Sequence, residues 1–178
     1  IILYVGQFYD WKGLEILADI AKVSPRLSSG NKILISEPVY DWKVYIVGGS
    51  KEDFVRVTKI TNIPKNIIFN GLRPYTQIPF WLSAADILLL LGTKKSEYSF
   101  LSTSPMKLFE YMAAHRPILA ADTPAIKQII SEKEAFFYEP DDAGTLAKKI
   151  GYILNNPDEA KTRAIRAFEV VKRYEWRE

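Results

Sequence analysis

Residues 104–121 read S-P-M-K-L-F-E-Y-M-A-A-H-R-P-I-L-A-A, and in them a helix start, a helix stop and a strand succeed one another without a gap. Ser104 before Pro105 is an N-terminal signal: the hydroxyl of an N-cap accepts an orphan backbone N–H, and proline at the first helical position has no N–H to leave unpaired. Leu108, Met112 and Ala113 form the apolar stripe of a helix laid on a sheet. His115 stands where a helix turns into left-handed backbone, Arg116-Pro117 ends it, and Ile118 to Ala121 is a short buried strand. Upstream, A-A-D-I-L-L-L-L-G ends at Gly92, and its four consecutive leucines suit a strand buried on both faces. That run is far below the ~20 residues of a membrane span. A strand, a helix and a second strand in so short a compass predict a parallel pair joined by a crossover.

The same alternation extends in both directions. Strands are expected at Ile1 to Val5, Val44 to Val47, Ile67 to Phe69, Ile87 to Leu91, Ile118 to Ala121 and Ala135 to Tyr138. Leu14, Leu17, Ala18 and Ala21 mark an amphipathic helix after the first strand, and two helices, Ala143 to Leu154 and Pro157 to Arg173, close the chain. The expected fold is α/β, three layers with a six-stranded parallel sheet, in a single domain over residues 1–178. Ser24 to Asp41 breaks the rhythm and is expected to be an insertion or a loop with an added edge strand. Ile1 opens inside a strand with no initiator Met or signal peptide, so the chain is expected to be part of something longer.

Composition excludes several functions. Of 178 residues, 48% are hydrophobic, enough for one well-cored domain. The 24 Lys+Arg against 21 Asp+Glu leave a net charge of +3 without basic runs, so nucleic acid is not an expected partner. The absence of cysteine excludes disulfides and thiolate chemistry, and the lone His115 excludes a histidine-rich metal site.

In an open doubly wound sheet, ligands bind beyond the carboxyl ends of the strands. There the chain places its glycines: V-G-Q-F-Y-D-W-K-G after the first strand, I-V-G-G-S after the second, F-N-G-L-R-P after the third. Neither a G-x-G-x-x-G fingerprint nor a Walker A loop is present. Two lysines stand where they oppose a helix dipole: Lys12 before the first helix, and Lys107 at the third position of the helix begun by Ser104, where a capping box favours Glu. Lys107 either reaches into water, leans on Glu110, or meets an anion at the helix N-terminus. In a doubly wound sheet the first and fourth strands adjoin at the switch point, so both lysines could face one crevice, with Glu110 placed either for a ribose or as the salt-bridge partner of Lys107. Asp141-Asp142 reads as a helix N-cap, and Tyr75, Phe80 and Trp81 as packing.

These segments, together with Y-E-P-D-D-A-G-T-L-A, resemble the C-terminal domain of GT-B glycosyltransferases of the group 1, GT4-like type, with K-L-F-E-Y-M-A-A-x-R-P the most specific part. The resemblance implies the donor half of a two-domain, retaining, metal-independent hexosyltransferase that uses no cofactor other than its nucleoside diphosphate sugar, UDP- or GDP-linked. The acceptor, a glycan or lipid, would meet a missing N-terminal domain, in the cytoplasm or at the inner face of a membrane. Gly6, Gln7, Gly48 and Lys12 would surround the diphosphate, the backbone at Leu72 and Arg73 would line the base pocket, and Glu110, the second glutamate of the family's E-x7-E motif, would hold ribose. Ser102 occupies the first glutamate's place. Ser104, Met106 and Lys107 would form the diphosphate-binding helix start. The alternatives are a nucleotide-sugar 2-epimerase half of the same fold and a non-catalytic α/β ligand-binding module.

Overall fold

The structure, a computed structural model, describes residues 1–22, 42–102 and 106–174. The expected interruption between Ser24 and Asp41 and the Ser104-Pro105 cap lie outside the described residues. Six strands form one all-parallel sheet: β1 (Ile2–Val5), β2 (Val44–Val47), β3 (Ile67–Phe69), β4 (Ile87–Leu90), β5 (Ile118–Ala121) and β6 (Phe136–Tyr138), in spatial order β3-β2-β1-β4-β5-β6. Every residue of β1, β4 and β5 is buried, as expected of strands covered on both faces. The helices between them are α1 (Glu15–Lys22), α2 (Lys51–Thr58), α3 (Ile78–Ser83), α4 (Met106–Ala113), α5 (Pro124–Lys127), α6 (Ala143–Asn155) and α7 (Pro157–Val171), with α1 against α6 and α4 against α7.

The strand order reverses between β1 and β4, which makes their C-terminal ends the switch point of the sheet. β1 pairs with β2 along its whole length, from Ile2↔Val44 to Val5↔Val47, but with β4 only through Ile2↔Ile87 and Leu3↔Leu88. The two strands therefore part before β1 ends, and Val5 faces β4 with no strand partner. α4 fills the gap. The Tyr111 hydroxyl accepts from the Val5 N–H at 3.0 Å and donates to the Leu89 carbonyl at 3.4 Å, while the Lys107 ammonium donates to the Val5 carbonyl at 2.7 Å. Residues four apart on a helix lie one above the other, so one face of α4 satisfies both polar groups of one residue.

This corrects the expected orientation of α4. Leu108, Tyr111 and Met112 are buried, whereas Ala113, assigned to the core stripe from its spacing, is exposed. Lys107 lies on the Tyr111 face that spans the split. Tyr111→Phe leaves the Val5 N–H orphaned inside the core, and an unpaired buried donor costs ~1 to 3 kcal/mol. Urea denaturation of the variant should show a lower midpoint with the same slope; an unchanged midpoint would mean that Tyr111 contributes packing alone.

His115 adopts φ 53, the left-handed stop expected of it, and its ring stacks on Phe168 with centroids 3.7 Å apart. Asp142 caps α6 by accepting from the Gly144 and Thr145 N–H groups, as read from sequence. Asp141 does something else. Held at φ 66, it accepts from the Thr93 hydroxyl at 2.7 Å and the Lys94 N–H at 2.9 Å, tying the loop after β4 to the loop after β6.

Candidate functional site

Gly6 lies immediately beyond β1 with φ 149, and its N–H donates to the Val47 carbonyl at 2.7 Å. A side chain there would start inside the space taken by the Lys107 ammonium. Glycine is thus required twice, for its backbone angle and for the room it leaves a cation at the split between the strands. Gly48, at the corresponding place after β2, has φ 121, and a Cβ on it would lie 2.5 Å from the Gly6 carbonyl oxygen. The two loops touch backbone to backbone, which holds the Val5–Gly6 corner in position.

Lys107 sits in the resulting niche, hydrogen-bonded to the Val5 carbonyl and 4.6 Å from the centroid of the buried Tyr4 ring. Its side chain also lines the open crevice. Desolvation, reinforced by the Lys12 cation and only partly offset by Glu110, pushes its pKa down to about 7. Lys12 approaches from the other wall. It ends a 3-10 turn, Asp10–Lys12, that Gly13 closes in left-handed backbone, and α1 begins beyond it at Glu15. Lys12 therefore precedes α1, as expected, with Gly13 and Leu14 between them. It donates to the Gln7 carbonyl at 2.9 Å and lies over the Tyr9 and Trp11 rings, with its pKa lowered by burial.

Two cations thus face one crevice, as adjacency of β1 and β4 required. The cavity there measures about 230 Å³ and is lined by Tyr4, Trp11, Lys12, Leu90, Leu91 and Lys107, with Tyr98, Ser99, Met106 and Ile126 completing the wall. Like charges held together with no carboxylate among the described lining residues create a standing demand for an anion. Among the described residues no cluster of three or more His, Cys, Asp or Glu side chains could hold a metal ion. Among them, too, no helix is long and apolar enough to cross a membrane.

The remaining sequence candidates divide. Gln7 contributes its carbonyl to Lys12, while its side-chain amide oxygen accepts from Tyr9. Met106 opens α4, lines the crevice and is 76% exposed. Glu110, one turn from Lys107, does not hold it; its carboxylate accepts from the Tyr75 hydroxyl at 3.3 Å. Leu72 and Arg73 lie exposed in the loop after β3, Arg73 near the Trp81 ring. Ser102 is exposed at the end of a π turn, Tyr98–Ser102, and Ser104 lies outside the described residues. Tyr75 and Phe80, read as packing, are each 74% exposed. Tyr4, Trp11 and Tyr98 line the crevice without any site signal in the sequence, because an aromatic in an apolar strand or turn has the sequence signature of core.

Residues 1–156 match the family model described as glycosyl transferases group 1. Among solved structures, the chain is similar to Anabaena HepE in complex with UDP and glucose, at 19% identity and a TM-score of 0.70, covering 97% of this chain and 43% of HepE. It is similar to sucrose-phosphate synthase from Thermosynechococcus elongatus, at 23% identity and a TM-score of 0.70, covering 97% of this chain and 40% of the synthase. It is also similar to the C-terminal domain of a group 1 family glycosyltransferase, LpcC, from Francisella tularensis, at 19% identity and a TM-score of 0.70, covering 99% of this chain and 87% of that domain. The chain therefore spans about two fifths of HepE and of the synthase. No curated protein matches the sequence.

Proposed function

The chain belongs to the group 1 glycosyltransferases, and on that premise we propose that its crevice holds the diphosphate of a nucleotide-sugar donor, UDP- or GDP-linked, in a retaining, metal-independent hexosyl transfer. The observation that carries the reading is the desolvated Lys107 ammonium, fixed at the β1–β4 split beside Lys12 with no carboxylate among the described residues that line the crevice. A diphosphate entering there would meet Lys107, Lys12 and the backbone at Gly6. As the glycosidic bond breaks, negative charge grows on the leaving nucleoside diphosphate, and cations already in place stabilise it without reorganisation. In this reading the lysines carry the compensation that a metal provides elsewhere.

The nucleoside would lie toward β3. There the Tyr75 hydroxyl donates to the Glu110 carboxylate at 3.3 Å, and that carboxylate can accept from vicinal ribose hydroxyls. The acceptor would approach from a second domain closing over the crevice. Closure excludes water and orients the attacking hydroxyl, terms worth ~7 to 11 kcal/mol, so the chain alone is proposed to bind its donor without turning it over.

Thermal denaturation with UDP, GDP, ADP and dTDP, each beside its free nucleoside, tests the reading. A diphosphate at ~100 times Kd stabilises the fold by about 2.7 kcal/mol, which for a domain of this size is a rise of roughly 5 to 11 °C. The nucleosides should shift the transition much less. A folded sample indifferent to all four diphosphates would refute the assignment.

A further inference from the structure

Resting on that reading, we propose that Thr93 is a positioning residue of the donor site: buried behind the crevice, it locks the loop after β4 to the turn that carries Lys12 and, through Asp141, to the loop after β6. Thr93, Ser99 and Thr123 are polar side chains buried in the fold. Thr123 caps α5 by accepting from the Ile126 N–H, whereas the other two are bonded to each other. The Thr93 N–H donates to the Ser99 hydroxyl oxygen at 3.2 Å, the Thr93 hydroxyl donates to one Asp141 carboxylate oxygen at 2.7 Å, and that hydroxyl oxygen accepts from the Lys95 N–H at 3.1 Å. The second Asp141 oxygen accepts from the Lys94 N–H at 2.9 Å. Asp141 reaches this arrangement at φ 66, backbone that L-residues resist, and its charge-assisted hydrogen bonds offset the strain.

The same residue meets two walls of the crevice from behind. A Cβ on Gly13 would lie 2.9 Å from the Thr93 Cβ, so the backbone that follows Lys12 runs directly against Thr93. Ser99 follows Tyr98, and Tyr98 closes edge-on against Trp11, the residue before Lys12, with ring centroids 5.0 Å apart. The contacts make a closed ring, from Thr93 through Gly13, Trp11, Tyr98 and Ser99 back to Thr93. Trp11, Lys12, Tyr98 and Ser99 line the crevice, while Thr93 borders the neighbouring cleft with Asp10, Glu15 and Ser96. Thr93 therefore acts on the crevice through the residues it holds. Lys12 has a long side chain, and where its ammonium stands depends on the turn beneath it; a turn whose support shifts delivers the charge to the wrong place.

Titration calorimetry of Thr93→Val, Thr93→Ser and Asp141→Asn with UDP and GDP tests this, beside the thermal transition of each protein and an NMR titration of its lysine ammonium groups. Valine keeps the shape of Thr93 and removes the hydroxyl, serine keeps the hydroxyl, and asparagine tolerates the left-handed backbone of Asp141 while losing one of its two acceptors. Thr93→Val and Asp141→Asn should each weaken the better-bound diphosphate about tenfold, and the double variant little further, because the two changes break one network. Thr93→Ser should keep the wild-type affinity. Lys12, whose pKa burial lowers, should titrate closer to the ordinary lysine value in Thr93→Val. A Thr93→Val protein that melts earlier but, well below its transition, keeps both the diphosphate affinity and the Lys12 titration of the wild type would reduce Thr93 to packing and overturn the proposal. A wild type indifferent to both diphosphates would refute the donor-site reading, and the Lys12 titration would then decide the positioning role alone: unmoved in Thr93→Val, it overturns that role.

Discussion

Lys107→Met should raise the stability of the unliganded domain at pH 6 and remove its response to nucleoside diphosphate. Wild-type Lys107 has its pKa lowered to about 7, chiefly by desolvation. Below pH 7 both the folded and the unfolded chain carry the proton, and the fold bears the whole penalty. Between about pH 7 and the ordinary lysine value the unfolded chain holds a proton that the folded chain has released, so wild-type stability rises with pH across that window. A shift of this size corresponds to ~3 to 5 kcal/mol, at 1.36 kcal/mol for each pKa unit. Methionine keeps the stem and removes the charge, but leaves the Val5 carbonyl unpaired at a cost of ~1 to 3 kcal/mol. The net gain at pH 6 is therefore about 2 kcal/mol, equivalent to roughly 4 to 8 °C, and it should shrink as pH rises toward 10.

The same substitution should weaken diphosphate binding by ~2 to 5 kcal/mol, the usual cost of deleting one partner of a buried charge pair. Scanning calorimetry of both proteins at pH 6 and pH 9, with and without diphosphate, separates the two effects. A variant less stable than wild type at pH 6 would make Lys107 a structural strut. A variant that keeps its diphosphate affinity would remove the lysine from the site. Because a bound anion raises the Lys107 pKa, diphosphate binding to the wild type should also take up a proton above pH 7, so that affinity falls as pH increases.

Gly48→Ala should be the costliest of the small substitutions around the crevice. The added methyl would meet the Gly6 carbonyl oxygen at 2.5 Å and its carbon at 2.6 Å, at a backbone angle of φ 121 that alanine resists. Main chain cannot swing aside as a side chain can, so the β1 and β2 loops must separate. The angular strain contributes ~1 to 3 kcal/mol and the overpacking a similar amount. Separation also moves the Val5–Gly6 corner that holds Lys107, so diphosphate binding should be lost together with stability. Gly71→Ala is the control: φ is 64 there, but no atom lies within 4 Å of the place an alanine methyl would take, and the cost should be limited to the ~1 to 2 kcal/mol of left-handed backbone. Urea denaturation of the two variants decides; equal midpoints would show that the contact between the loops is not the constraint.

The strands were legible because short apolar runs between glycine- and proline-rich turns are a local property, and covering both faces of a parallel sheet demands them. All six appear within a residue or two of their expected limits, with Ile1, Leu91 and Ala135 left just outside because strand ends depend on which partner is still in register. The helix stop at His115 and the cap at Asp142 were legible for the same reason, since each depends on its own few residues. The convergence of Lys12 and Lys107 followed from the sheet order alone.

The rotation of α4 about its axis was not legible, and it decides the site. Spacing is equally consistent with a stripe through Ala113 and with one through Tyr111. Only the parting of β1 from β4 after Leu3 and Leu88 leaves the Val5 peptide groups without strand partners, and those groups select the face of α4 that carries Tyr111 and Lys107. Likewise nothing in the sequence marks Tyr4, a buried core residue of β1, or Trp11, in the turn after it, as walls of the crevice that they line. Sequence determined that two cations would stand at the end of this sheet. Tertiary structure decided that one of them is desolvated, its ammonium held against the Val5 carbonyl and the Tyr4 ring in a gap between strands that exists only once the whole sheet has formed.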